Sequence, residues 1–410
     1  MKIVMTTLFG IEALTAAELT DLGYSRESLT VSDGQVVLDA GDLPGEIART
    51  AAAAARLNVF LRTAERVLVQ LAVFPAADFD TLFESTRALP WEDWLEPDVV
   101  FHINGYSRKS ALFGISACQS LIKKAIVSRL LHARGLAPDS QLTEDPARGL
   151  IRIQFGIVAD QVSIMVDTSG DGLHKRGYRP LMNEAPIRET LAAAILMVSH
   201  YRSGSGEALY DPCCGSGTIP IEAALMASQI APGMNRRFAG EKWHLIGSRY
   251  YQEAREEAGE RMVSGSAHWP DTPGQIEIFG ADLDARAAEL SQANAKRAGV
   301  DRLIRFRQAD LLQLDLGELA DWTGHSRHLV VCNPPYGNRL LDQQQAEAIY
   351  LGLGRIFLDR GQIRPDYRLS VLTPDEQFES LVNCRADKRR KLYNGMIRCT
   401  LYHYFKSRRM

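Results

Sequence analysis

Paired cysteines are missing from this chain. It has six cysteines in 410 residues, with no Cys-x-x-Cys pair and no cysteine–histidine spacing of the kind that holds zinc. Cys213 and Cys214 are neighbours, too close for an ordinary structural disulfide, so the cysteines read as small buried residues in a reducing compartment. Long apolar runs are missing too. No stretch of eighteen apolar residues occurs, and Met1 to Thr7 has one lysine and too short an apolar segment for a secretory leader. The expectation is a soluble, cytoplasmic protein with no membrane segment and no bound metal. Charge of one sign is also scarce: 47 basic and 50 acidic residues leave a net −3, so any contact with a polyanion must come from local islands. A Gly-Lys-Ser/Thr phosphate loop is absent.

What is present is a globular composition, 46% hydrophobic and 24% charged, long enough for two or three domains. Its focal stretch runs from Glu207 to Ala224. A short apolar strand, Ala208 to Tyr210, leads to Asp211, then to a tight Gly215-Ser216-Gly217 turn and a helix from about Thr218. A strand that passes through glycines into a helix offers bare backbone N–H groups to a ligand. The third glycine of a dinucleotide fingerprint is replaced by Pro220, which argues against a nicotinamide cofactor. Asp211 would repel a pyrophosphate and attract an ammonium or hydroxyl. S-adenosylmethionine offers both groups, which favours a methyl donor.

A second strand, Leu329 to Cys332, ends in Asn333-Pro334-Pro335-Tyr336. Two prolines lock the backbone and remove two N–H donors, leaving acceptors for an exocyclic amine, and Tyr336 offers a ring for stacking its base. The pair of motifs resembles class I methyltransferases that act on amino nitrogens of nucleobases. Between them, Asp282 follows the strand Ile276–Phe279, where it can take ribose hydroxyls, and Asp310 follows the strand Ile304–Gln308, where it can accept from an adenine amine. Asp284 reads as the cap of the helix Ala285–Ala298.

Before this part, residues 1–65 alternate short strands and helices in a ferredoxin-like α+β pattern, with Leu43–Arg56 helical and Asn58–Leu61 starting a strand. Residues 66–168 form a second α+β block. From Tyr106 to Arg134 it has six basic residues and no acid, including Arg108, Lys109, Lys123 and Lys124. It resembles a THUMP RNA-binding domain in the run from Ser107 to Ile126. A connector at 169–185 carries His174, Lys175, Arg176, Tyr178 and Arg179, a mix that can track phosphates and stack on a base. A helix, Ala185–Val198, with Pro186 in its first turn, opens the α/β part at 186–410 and precedes its first strand; Glu189 reads as a helix-surface residue, and the insertion from Ala231 to Gly274 carries no chemistry. The chain closes on a hairpin with eight basic residues and no acid from Lys388 onward.

Over nearly its whole length the chain resembles the THUMP-domain class I methyltransferases of the RlmL-like group, which modify N2 of guanine in large-subunit ribosomal RNA. The resemblance implies a ferredoxin-like domain, a THUMP domain and a Rossmann-like methyltransferase domain using S-adenosylmethionine. It implies cofactor contacts at Asp211, Cys214, Gly215, Gly217, Thr218, Asp282, Asp310 and Asn333, a target-base site at Asn333, Pro334, Pro335 and Tyr336, and RNA as partner. Some members fuse a second methyltransferase domain, which this sequence lacks. Three rivals stand beside this reading: a transfer-RNA guanine-N2 methyltransferase, a DNA adenine-N6 methyltransferase and a non-catalytic RNA-binding assembly factor.

Overall fold

The computed structural model describes residues 1–39, 46–179, 187–266, 277–336 and 343–406. The chain folds as two units. The first comprises Met1–Thr7, Ala16–Leu173 and Arg236–Glu257, and the second Leu8–Thr15, His174–Asn235 and Ala258–Met410.

The first unit is built on one seven-stranded sheet. Its strands are β1 (Lys2–Thr7), β2 (Leu29–Ser32), β3 (Gln35–Asp39), β4 (Ala64–Pro75), β5 (Val100–Arg108), β6 (Leu150–Val158) and β7 (Gln161–Asp167). They lie in the order β2-β3-β1-β4-β7-β6-β5. The long β4 pairs antiparallel with β1 through residues 64–70 and with β7 through residues 68–75, so a single sheet runs through the ferredoxin-like and THUMP parts. The boundary read from the sequence at 65/66 falls inside this strand.

Asn58–Leu61 does not start a strand; Asn58 to Phe60 close the helix Glu46–Phe60. The buried Asn58 amide donates to the Ala54 carbonyl at 2.9 Å and to Thr168 Oγ1 at 2.7 Å, and that tertiary anchoring overrides the β-preference of Val59 and Phe60. The insertion contributes to this unit as well. Tyr251, fully buried on the helix Gly247–Ser266, donates to the Thr168 carbonyl at 3.2 Å and stacks on Phe238 with ring centroids 5.1 Å apart.

The second unit carries a doubly wound sheet. Its strands are β8 (Ala208–Asp211), β9 (Ile278–Asp282), β10 (Ile304–Gln308), β11 (His328–Cys332), β14 (Tyr367–Thr373), β15 (Lys388–Asn394) and β16 (Ile397–Tyr404); β12 (Leu358–Asp359) and β13 (Gln362–Ile363) form a small separate ribbon. The order is β10-β9-β8-β11-β14-β16-β15, parallel except for the terminal hairpin β15–β16, which enters antiparallel to β14. Strands β8 and β11 are buried along their length and β14 from Leu369 onward, as expected of strands covered on both faces. The chain winds from β8 outward through β9 to β10, then returns to β11 on the other side. The crevice at that reversal, beyond the carboxyl ends of β8 and β11, is where such sheets bind ligands.

The helix preceding β8 is described over Glu189–Val198. Ala185 and Pro186, read from the sequence as its start, lie outside the described residues, as do Ile276 and the end of the insertion. No helix among the described residues is long and apolar enough to cross a membrane.

Candidate active site

The two motifs leave the sheet on adjacent strands. β8 and β11 pair in parallel register from Ala208↔His328 to Tyr210↔Val330, so Asp211 and Asn333 emerge at the same edge, on backbones about 5 Å apart. Asp282 ends β9 and Asp310 lies two residues past β10, extending that edge. All the sequence-derived acids thus share one crevice rim.

The glycine turn is tied down from behind. Ser291 Oγ donates to the Gly215 carbonyl at 2.8 Å and Asn294 Nδ2 to the Ser216 carbonyl at 3.0 Å, both from the helix Ala285–Ala298. In front, the Gly215 N–H donates to Asp282 Oδ2 at 2.9 Å and the Asp284 N–H to Asp282 Oδ1 at 3.0 Å. Asp284 caps its helix, as read from sequence, accepting from the Arg286 N–H. Asp310 accepts from the Leu312 N–H at 2.8 Å.

Gly217 caps the helix Thr218–Ala227 at φ +78°, and a Cβ there would lie 2.9 Å from Ser291 Cβ. Gly217→Ala is expected to cost roughly 2–3 kcal/mol from strain and overpacking together, measurable by denaturant unfolding, and to weaken donor binding in calorimetry. A Cβ on Gly215 at φ +54° would instead stand in open space, the room a close-lying ligand needs.

Asp211 is 1% exposed and accepts from the Cys213 N–H at 3.1 Å. Burial pushes its carboxyl up to about 8, with the nearby Asp282 adding to the effect. Cys214, also buried, lies beside Ser291, and its thiol is raised well above the ordinary range by burial. On the other strand tip, Asn333 Oδ1 is buried and has no hydrogen-bond partner among the described residues. Pro334 is buried and Pro335 and Tyr336 are half-buried. Tyr336 Oη accepts from Asn394 Nδ2 at 2.6 Å, and burial raises its phenol. An acidic rim without a phosphate cradle, a space beside Gly215 and an unsatisfied amide oxygen fit a cationic nucleoside donor and an amine-bearing base.

The connector corrects the sequence reading. Tyr178 is 4% exposed, and its hydroxyl donates to Glu222 Oε1 at 3.1 Å, so it has no free face for a base. Arg176 is buried, with Nε 3.6 Å from Glu222 Oε1. Arg179 donates to Thr218 Oγ1 at 2.8 Å and pairs with Glu189 at 3.0 Å, its side chain 6% exposed. Glu189, expected on a helix surface, is buried in that pair. A buried charge is costly unless it is paired, so two glutamates on apolar helices pin the two arginines inward. The signal was present in the sequence: Glu222 interrupts the otherwise apolar run Ile219-Pro-Ile-Glu-Ala-Ala-Leu. His174 is half-buried, whereas Lys175, Arg108, Lys109, Lys123 and Lys124 are exposed.

Comparison with known proteins agrees with this geometry. The family described as RMKL-like, methyltransferase domain, matches residues 176–403. The chain belongs to this family. The RlmL ferredoxin-like domain matches residues 2–68 and the THUMP domain residues 76–167. YpsC of Bacillus subtilis is 38% identical over 98% of this chain and 95% of its own length. The ribosomal RNA large subunit methyltransferase K/L of Syntrophotalea carbinolica is 32% identical over 98% of this chain, which spans 53% of that protein. Among solved structures, one from Listeria monocytogenes described as a predicted N6-adenine-specific DNA methylase is 38% identical, with a TM-score of 0.82 over 99% of this chain and 96% of that one. SMU.472, solved in complex with SAH, is 33% identical with a TM-score of 0.82 over 100% of this chain and 99% of its own.

Proposed function

We propose that this chain is an S-adenosylmethionine-dependent RNA methyltransferase that methylates the exocyclic N2 of a guanosine in large-subunit ribosomal RNA. The observation that carries the reading is the buried, unpartnered Oδ1 of Asn333 beside the β8 tip. A guanine amine has N–H groups for that oxygen to accept from, and one of its two protons must leave once the nitrogen is methylated. The K/L relatives, named for large-subunit ribosomal RNA, support the substrate class.

In this reading Asp211 holds the ammonium of the donor, Asp282 its ribose hydroxyls and Asp310 its adenine amine, with Gly215, Gly217, Cys214 and Thr218 shaping the turn beneath. When bound, the donor supplies an electrophilic methyl group. Everything else is positioning. The target base is swung out of its stack, Tyr336 packs on its ring, and Asn333 Oδ1 with the Pro334 or Pro335 carbonyl aims the amine lone pair. The fixed acceptors stabilise positive charge as it develops on nitrogen, and the methylated amine then gives up one proton to water, so no dedicated base is needed.

Mass spectrometry of nucleosides from RNA treated with the protein and labelled donor is the direct test. Labelled N2-methylguanosine from ribosomal RNA is expected. Label in transfer RNA alone, or in adenine of duplex DNA, would replace the reading with one of its rivals. RNA contact by the first unit rests on exposed Lys123 and Lys124 together with Arg108 and Lys109. Lys123 lies over the Phe101 ring at 5.4 Å and 3.6 Å from Glu144, a loose surface pairing that RNA phosphates can displace. Alanine at 123 and 124 together is expected to lower the slope of log affinity against log salt by roughly 1–2. Filter binding across a salt series would show it, and an unchanged slope would return both lysines to a merely solvated face.

A further inference from the structure

The tip of the hairpin β15–β16 presents a side chain that the fold does not use. Asn394 and Ile397 form the closing pair, leaving a two-residue turn, Gly395-Met396. Gly395 has φ +63° and Met396 does not share the positive φ, the pattern of a tight hairpin turn with glycine at its first central position. The turn needs that glycine; it asks nothing apolar of the next residue. Yet Met396 is 97% exposed, and Ile397 beside it is 47% exposed. Lys388, Arg389, Lys391 and Arg398 stand exposed along the two strands below, and the hairpin carries no acid. Arg389 pairs with Glu379 and Arg398 lies 3.7 Å from Glu376, both at the surface where phosphates compete well.

The tip is also fixed in place. Asn394, the residue before the turn, donates through Nδ2 to Tyr336 Oη at 2.6 Å, so the hairpin is joined to the Asn-Pro-Pro-Tyr motif. From the other side, Phe9 meets Tyr393 edge-on with ring centroids 6.2 Å apart, and the fully buried Leu392 and Ile11 share one apolar core. An apolar, flexible side chain thus projects from a braced, cationic ribbon bonded to the target-base motif.

We propose that Met396 is an apolar wedge that enters the RNA base stack at the place vacated by the target nucleotide, while the cations of the hairpin hold the flanking phosphates. The proposal rests on the reading that the Asn333 site methylates a base of RNA. Extruding a base exposes the faces of its two stacked neighbours, and a thioether side chain fills that gap in the way apolar wedges do in bent or flipped duplexes. Asn394 couples the wedge to Tyr336, so the empty stack and the seated base are fixed by one hydrogen-bonded pair.

The test compares the full-length protein with Met396→Ala and Met396→Leu in single-turnover methyl transfer. The probe is protein-free large-subunit ribosomal RNA, folded in magnesium and, separately, broken into short single-stranded fragments. Donor affinity of each protein is followed by calorimetry as a check on folding. Met396→Ala is expected to lose about tenfold in rate on folded RNA, with the deficit shrinking on fragments, which have little stack to open. Met396→Leu, which keeps an apolar wedge of similar reach, is expected to recover most of the loss. A Met396→Ala rate within twofold of the natural chain on folded RNA overturns the wedge, and so does an equal loss on both substrates. Donor binding without methyl transfer to either RNA by the natural chain would instead overturn the parent reading, and the wedge with it.

Discussion

Asn333→Ala is expected to lower single-turnover methyl transfer by two to three orders of magnitude, with donor affinity in calorimetry changed less than about threefold. Removing one preorganised polar group at a reacting centre has effects of that size, because nothing mobile can replace its dipole in time. The same substitution is expected to raise stability. Asn333 Oδ1 is buried without a partner among the described residues, and leaving such an oxygen unsatisfied costs about 1–3 kcal/mol that alanine does not incur. A variant that melts higher and turns over hundreds of times more slowly would mark the oxygen as functional. Full turnover by Asn333→Ala would end the proposal, and a loss of rate accompanied by a fall in melting temperature would point to collapse of the motif instead.

Asp211→Asn carries the second large effect. The carboxyl sits at about 8 in the folded chain, far above the usual range near 3.8, because burial disfavours its charged form. A group raised in this way supports folding fully below about pH 4 and withdraws that support as pH climbs to about 8, where the buried charge must be tolerated. Asparagine keeps an oxygen for the Cys213 N–H and never ionises. Its advantage should therefore be near zero at pH 4, grow between pH 4 and 8, and reach several kcal/mol above that, since each tenfold change in a proton-binding equilibrium is worth ~1.4 kcal/mol. Denaturant unfolding across that range measures it. Donor binding should move the other way: affinity of the natural chain climbs as pH approaches 8 and Asp211 ionises opposite the ammonium, while the Asn variant binds on the order of a hundredfold more weakly, with a flat profile. An advantage over the natural chain no larger at pH 9 than at pH 4 would refute the burial argument.

The strand–turn–helix punctuation of the second unit was legible because local rules and global packing agree there. Asp284 and Gly299 bracket one helix, and apolar runs such as Leu-Val-Val-Cys are too short to be anything but buried strands. The acids at strand tips were legible for the same reason, since their positions follow from where each strand stops. The connector was not. Arg176, Tyr178 and Arg179 look like a solvated, RNA-facing patch until Glu189 from the next helix and Glu222 from the one after it close on them, and an acid in an apolar run does not by itself say which cation it will meet. The end of the helix Glu46–Phe60 was misread likewise, because Asn58 is held there by Thr168, a partner far along the chain. Nor does a dipeptide such as Gly395-Met396 say that its second side chain is bare; the burial pattern around the hairpin does.

The two units are interleaved along the chain rather than laid end to end. Ile11, wholly buried, belongs to the core of the second unit although it follows the first strand of the first, and Tyr251 returns from within the second to bond Asn58 and Thr168. A polypeptide beginning at residue 174 would be born with a hole where Ile11 packs, and one ending at residue 173 would leave Asn58 and Thr168 without their phenol. Splitting the chain between residues 173 and 174 is therefore expected to destabilise both pieces.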